Sequence, residues 1–443
     1  MTDETYSSPS ASSGAQGPAQ TPLSGRGPDR LTAGRLVFAF GFGFFLSMFT
    51  RAVASMIKDP VQADLMLSEG QIGLAMGAFF ITFAILQLPV GIALDRYDPR
   101  RVNAGLMLLA AGGAVVFSIA EDQGGLVVGR AMMGAGFAGA MMSAFKTYAL
   151  WFPGNRLATM NGIQFSIGVL GALSATRPTE LALRIMDWRD IYLIFAGLTV
   201  LAATLLVTVA PRHNTEPHGQ TLGQQIRGLG TVFSSRYFWR IVPWAVLAMG
   251  TSQALATLWV VPWLSDVAGF NRVEASNVFF TMNAVAFVNF MMLGFVADQV
   301  ARRGFGPLTV PVVGLTLSMM VQVLLVFQIK DAVTLTWVLF SITTSSGTLV
   351  MPALANAFPV NMAGRVYTAF NVLPFVITFA MQWGIGEILD LFPPQPDGGA
   401  SPEGYQWAFG LIVSLQAIAA LWFVIATKKG WAELPKKELS DGG

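Results

Sequence analysis

The chain has 443 residues, 53% of them hydrophobic and only 12% charged, with a net charge of +2 and a mean hydropathy of +0.57. A soluble domain of this length cannot present so little charge to water, so the composition excludes that class and makes lipid the solvent. The absence of cysteine removes disulfides, thiolate chemistry and cysteine metal sites.

Residues 1–33 are rich in Ser, Gly, Pro, Ala and Thr, contain no apolar run, and are expected to form a disordered tail. Asp3 and Glu4 stand where a signal peptide would be basic, so none is expected. Apolar runs long enough to cross roughly 30 Å of hydrocarbon follow near 35–57, 70–93, 102–120, 125–150, 157–181 and 190–210. The first run contains Arg51, the fourth Arg130 and Lys146, and the fifth Arg177 and Glu180. Between the second and third runs stands Gly91-Ile-Ala-Leu-Asp95-Arg96-Tyr97-Asp98-Pro99-Arg100-Arg101. Its charges cannot lie in hydrocarbon, so it marks a turn at a membrane surface and, by its basic excess, the cytoplasmic one.

A polar stretch at 211–237, holding His213 and His218, interrupts the pattern. Six more runs follow near 240–265, 275–297, 305–327, 332–355, 366–388 and 405–427, before a short tail at 428–443. After the eighth run comes a degraded copy of the first motif, with Gly294, Asp298, Arg302 and Arg303. A second pair repeats as well: Phe152-Pro153 with Arg156 and Asn161 after the fourth run, and Phe358-Pro359 with Arg365 and Asn371 after the tenth. The chain is therefore expected to be an all-α membrane protein of two parallel six-helix bundles, 34–210 and 238–427, joined by the 211–237 loop. With 18 of the 27 Lys and Arg residues on the side of the tails, both termini are expected in the cytoplasm, in agreement with an even number of spans, which puts them on one side.

These repeated motifs resemble the major facilitator superfamily from about residue 35 to 427, the first loop matching at Gly91, Asp95, Arg96, Arg100 and Arg101. The resemblance implies that this loop clamps the cytoplasmic side in the outward-open state, with Asp95 near the start of the eleventh helix and Arg365 as a further counter-charge. The family usually has a glycine where this chain has Asp98; Asp also visits left-handed backbone, so the turn is expected to survive. Segments Leu258 to Gly269 and Gly364 to Asn371 resemble a large group of bacterial transporters whose substrates are mostly unassigned. The antiporter signature expected in the fifth span is absent: Gly168 to Pro178 departs from it, which argues against drug export.

An ionisable residue inside the bilayer costs about 2.5 to 3.5 kcal/mol on insertion scales, so each is a candidate for function. Arg51 lies roughly 7 or 8 Å outside the middle of its span at the helical rise, and is the first candidate for substrate contact. Lys146, roughly 12 Å to the cytoplasmic side of its midpoint, either lines the cavity or reaches to water. Arg177 and Glu180, three apart, face each other on one helix; they form a self-neutralising pair, or Glu180 takes a proton and frees Arg177. Arg130 reads as a helix tether. Neutral candidates come from the second half: Gln253 and Trp259, Asn283 and Asn289, Asn371 and Gln382; such amides more often bond between helices than to a ligand, and Trp259 is either an interface aromatic or a lid.

The interior excess is four bases to one acid, so a cavity here should prefer an anion held by guanidinium. The reading is a secondary carrier of a small, carboxylate-like organic anion by alternating access in the bacterial inner membrane, with proton-coupled uptake. It is expected to be a monomer among membrane lipids, with no cofactor, no metal, no enzymatic activity and no nucleic-acid partner. The alternatives are a proton-coupled exporter of hydrophobic or cationic compounds, a metal importer using some of the 21 methionines, and a transport-inactive receptor on the same scaffold.

Overall fold

The computed structural model describes residues 28–212, 229–359, 362–396 and 398–431; most of the tails expected at 1–33 and 428–443 and most of the central segment, with both histidines, lie outside the described residues, while the first helix already begins at Arg30, inside the expected first tail. Twelve described helices are long and apolar enough to span a membrane, and the described residues contain no β-strand. In chain order they are α1 (Arg30–Ala52), α2 (Glu69–Arg96), α3 (Pro99–Ser118), α4 (Gln123–Trp151), α5 (Gly154–Ala182) and α6 (Trp188–Thr208). The second half holds α7 (Arg236–Asp266), α8 (Arg272–Arg302), α9 (Thr309–Val326), α10 (Val333–Ala357), α11 (Ala363–Leu389) and α12 (Pro402–Lys428).

Polar caps set many of the starts. Ser68 opens α2 and Asn271 opens α8, each in a reciprocal box with the side chain three residues on, Gln71 and Glu274. The Gly91–Arg101 segment proves to be mostly helix. Asp95 and Arg96 close α2, Tyr97 and Asp98 make the whole connection, and Pro99 begins α3. Asp98 is not left-handed (φ −58°): its carboxylate instead caps α3 by accepting from the Arg100 amide at 3.0 Å, which a glycine could not do.

The first span does not stop where its apolar run stops. After a break at Val53 it continues as a short helix, Ala54–Leu65, folded in between the two halves. Glycines allow the tight packing inside the first half: a Cβ on Gly134 would stand 2.1 Å from the Phe79 carbonyl of α2, and one on Gly136 2.5 Å from Ala110 of α3. Large apolar side chains such as Phe290, Met291 and Phe295 of α8 point outward, as lipid contact requires.

The end bearing Asp95 is termed the motif end and the opposite one the far end. At the far end one apolar cluster runs from the first half into Leu258, Trp263, Phe279, Leu389 and Tyr405 of the second. A separate cluster, with Phe238, Trp244, Val350, Phe358 and Phe370, fills the motif end of the second half alone. The halves are thus joined at the far end and stand apart at the motif end.

Candidate functional site

Midway between the halves lies a cavity of about 40 Å³, lined by α1, α2 and α4 of the first half and α11 of the second. Its polar lining comes as side chains one helical turn from an aromatic or polar neighbour: Ser47 and Arg51 on α1, Phe83 and Gln87 on α2, Asn371 and Phe375 on α11. Two of the lining helices are irregular beside it, α1 breaking at Val53 and α4 at Ala138 and Gly139.

Arg51 is buried, 8% exposed, and no carboxylate pairs with it among the described residues. Aromatic faces surround it instead. Its guanidinium carbon is 4.3 Å from the Phe83 ring centre and 5.5 Å from those of Phe79 and Phe375. Such contacts are worth about 0.5 to 2 kcal/mol each, which tempers the desolvation of a buried cation without neutralising it. Arg51 Nε, Ser47 Oγ and Gln87 Oε1 are buried with no hydrogen-bond partner. Buried polar groups are normally satisfied, so three unsatisfied ones lining a single cavity make it the candidate ligand site.

The other expected site residues lie elsewhere. Lys146 neither lines the cavity nor reaches freely to water: it pairs with Asp95 at 3.2 Å and donates to the Leu94 carbonyl at the motif end. Arg177 is at the far end, 2.7 Å from Glu180, whose other oxygen holds Arg184 at 2.8 Å. Gln253 is half-buried in α7, where its carbonyl accepts the Thr257 hydroxyl. Asn283 donates to the Phe279 carbonyl of its own helix, and Asn289 to Ile342 of α10. Gln382 donates to the Thr257 hydroxyl at 2.9 Å. Arg130 is a tether, donating to the Thr50 carbonyl and the Met76 sulfur. Of the eight expected substrate contacts, the structure brings Arg51 and Asn371 together.

The motif residues divide similarly. Arg100 is buried, pairs with Asp98 and donates to the Ala210 carbonyl at the end of α6, while Arg96, Arg101, Gly294 and Asp298 are exposed and Gly91 is partly so. Arg365 is half-buried and has no ion pair among the described residues. The clamp on α11 implied for Asp95 is not made in this conformation, because the halves are apart there and Lys146 of its own half holds the carboxylate.

Two groups of residues escaped the sequence reading. Gln87, a lone amide in an apolar run, carried a signal that could have found it; Phe83 and Phe375 carried none. At the far end Lys58, expected in an outside loop, is 2% exposed and bonds Glu69 at 2.9 Å and Gln62 at 2.9 Å. The carboxylates of Glu69 and Asp59 beside it offset the cost of burying the ammonium. Trp259 lies fully buried beneath it, with the ring centre 5.6 Å from Lys58 Nζ. It faces neither lipid nor the cavity.

The chain belongs to the Major Facilitator Superfamily, whose sequence profile matches residues 40–382. It is thus a multi-pass membrane protein of a transporter family. Among known proteins it is 23% identical over 276 residues to the "Probable sulfoacetate transporter SauU" of Cupriavidus necator, covering 59% of this chain and 64% of that one. It is 25% identical to the hexuronate transporter of Escherichia coli K12, over 52% and 57% of the two chains. A nitrite extrusion protein of Bacillus subtilis is 22% identical over 87% and 91%. The match thus spans less than two thirds of the sulfoacetate and hexuronate proteins. A solved bacterial homologue of the human lysosomal transporter Spinster, inward-facing and unoccupied, shares the fold with a TM-score of 0.74 at 18% identity, over 91% of this chain and 98% of that one.

Proposed function

We propose that this protein is a secondary carrier of a small organic anion, working by alternating access, with Arg51 as the group that grips the substrate. The observation that carries this reading is a buried guanidinium without a carboxylate, at the edge of a cavity lined by both halves. Its donors suit a carboxylate or sulfonate held in bidentate fashion, and Ser47, Gln87 and Asn371 add neutral contacts around the same head group. The names of the relatives, carriers of sulfoacetate, hexuronate and nitrite, are those of anions and support the same class.

A cationic drug or a metal ion would meet the charge of Arg51 with no acid in the lining, although Met141 and Met142 are there. That disfavours the exporter and metal-import alternatives. In this reading both termini lie in the cytoplasm of a bacterial inner membrane, the motif end faces inward, and the structure is the inward-open member of the cycle. Proton-coupled uptake is the finer part of the proposal, with Glu180 as the acid; for Glu180 to take a proton, one of its two arginine pairs must open.

A thermal-shift screen of the purified protein against carboxylates, sulfonates, amino acids and phosphates, followed by counterflow in proteoliposomes, tests the substrate class. Stabilisation by organic cations and by no anion would overturn it. For coupling, acidifying the outside of loaded vesicles should alter flux in the parent and not in Glu180→Gln. Equal responses remove Glu180 from that role.

A further inference from the structure

At the far end the halves meet chiefly along α2 and α11, which run antiparallel, so that α2 begins beside the end of α11. The first amides of any helix lack partners within it and carry the positive end of its dipole. For α2 these partners come from the opposite half. Asp390, the residue that ends α11, accepts from the Glu69 amide at 2.9 Å through Oδ1, and from the Gly70 amide at 2.9 Å and the Ser68 hydroxyl at 2.6 Å through Oδ2. Ser68 Oγ at the same time accepts from the Gln71 amide, so one serine serves both the cap of α2 and the contact between halves. The backbones around this contact are pressed together: a Cβ on Gly386 would stand 2.2 Å from the Glu69 carbonyl oxygen.

At its other end, the same pair of helices has the converse arrangement. Asp95 stands one residue from the end of α2, and the amides of α11 begin at Ala363 on the same side of the molecule. There the carboxylate is held by Lys146 instead.

We propose that Asp390 is the far-end latch of the transport cycle and the reciprocal of Asp95. Each acid sits where one helix of the antiparallel pair ends and docks on the first amides of the other, and the two contacts form alternately. In the state seen here the Asp390 latch is closed and Asp95 is parked on Lys146. When the halves rock, Asp390 must give up three hydrogen bonds to α2 before the far end can open. This inference rests on the alternating-access reading, though not on the identity of the substrate.

The test uses distances between spin labels in the full chain, which contains no native cysteine to remove. One labelled pair, Met66→Cys with Leu391→Cys, reports the far end; another, Tyr97→Cys with Phe305→Cys, reports the motif end; all four positions are exposed. Asp390→Ala should lengthen the far-end distances and shorten the motif-end ones. The expected change in the ratio of the two states is about tenfold, equivalent to ~1.4 kcal/mol and the lower edge of a charge-assisted hydrogen bond, since Asp390 is exposed to water. Asp95→Ala should move the ratio the other way. Glu403→Gln, which alters an exposed acid in the first turn of α12, should leave it unchanged. If Asp390→Ala fails to accumulate, Asp390→Asn, which keeps the shape and loses the charge, should give the same shift at smaller size. Parent-like distributions in whichever Asp390 variant folds would overturn the latch. A parent that shows one fixed distance at each end, with and without a stabilising anion, would instead overturn alternating access itself.

Discussion

Replacing Arg51 by glutamine removes the charge that the proposed function depends on, and the structure allows the cost to be worked out in two states. In the unliganded protein, several kcal/mol of desolvation weigh against the guanidinium, while three rings return about 0.5 to 2 kcal/mol each. The two nearly cancel, so the unliganded melting temperature should move little. In the liganded protein, loss of one partner of a buried charge pair costs about 2 to 5 kcal/mol, so the dissociation constant should rise by ~30-fold or more. At a ligand concentration of about 100 times the parent's dissociation constant, the parent gains about 2.7 kcal/mol; a variant 100-fold weaker gains about 0.4 kcal/mol. The assay is a thermal shift with and without the best anion from the screen, with uptake into proteoliposomes beside it. An Arg51→Gln variant that keeps both the ligand shift and the parent KM for every anion tested would refute the reasoning.

The other charges should behave differently. Lys146→Met should leave anion affinity within about twofold, because its pair with Asp95 is part-exposed and worth about 0.2 to 1 kcal/mol; freeing Asp95 should favour closure at the motif end about 1.4- to 5-fold, read by spin-label distances. Glu180→Gln should lower stability by about 1 to 2 kcal/mol in thermal melts, since its buried carboxylate holds two part-exposed arginines. Gly386→Val should wedge the far end open while the protein still folds, its Cβ meeting the Glu69 carbonyl across the halves; unchanged far-end distances would contradict that. Gly134→Val, which meets the Phe79 carbonyl within the first half, should destabilise the protein by about 1 to 3 kcal/mol in either state.

Twelve helices were legible because lipid imposes one rule on every span, a run of apolar residues closed by polar caps. Arg51 was legible for the same reason, as a charge in a place where none is cheap. Lys58 was not. It lies just past an apolar run, which reads as a loop in water, and only the fold of Ala54–Leu65 between the halves buries it. Asp390 likewise looks like an ordinary polar residue at a span end, because its partners are 320 to 322 residues away in sequence. Gln382 and Asn283 were rightly seen as polar groups in apolar helices, but composition cannot say whether a helical amide faces a cavity or bonds within the protein; here Gln382 bonds Thr257 of α7 and Asn283 a carbonyl of its own helix. For Lys58 and Asp390, what sequence could not supply is which surfaces of the two bundles touch.

Arg51, the one charged residue lining the cavity, belongs to the first half, while the second half brings Asn371 and Phe375 to it. This division suggests how binding and closure are tied together. Phe375 stands 4.7 Å from the Phe83 ring and 5.5 Å from the Arg51 guanidinium, so it covers the cation only while the halves are in contact there. Covering lowers the local dielectric and strengthens the attraction between Arg51 and an anion. Phe375→Ala should therefore weaken anion binding by about 3- to 10-fold, and it should do so through Arg51. A double-mutant cycle separates this from a simple loss of packing. In an Arg51→Gln background, Phe375→Ala should cost at least 0.5 kcal/mol less, roughly the smallest coupling seen for residues in contact. Effects that add within about 0.3 kcal/mol would mean that the ring packs beside the site and takes no part in holding the charge.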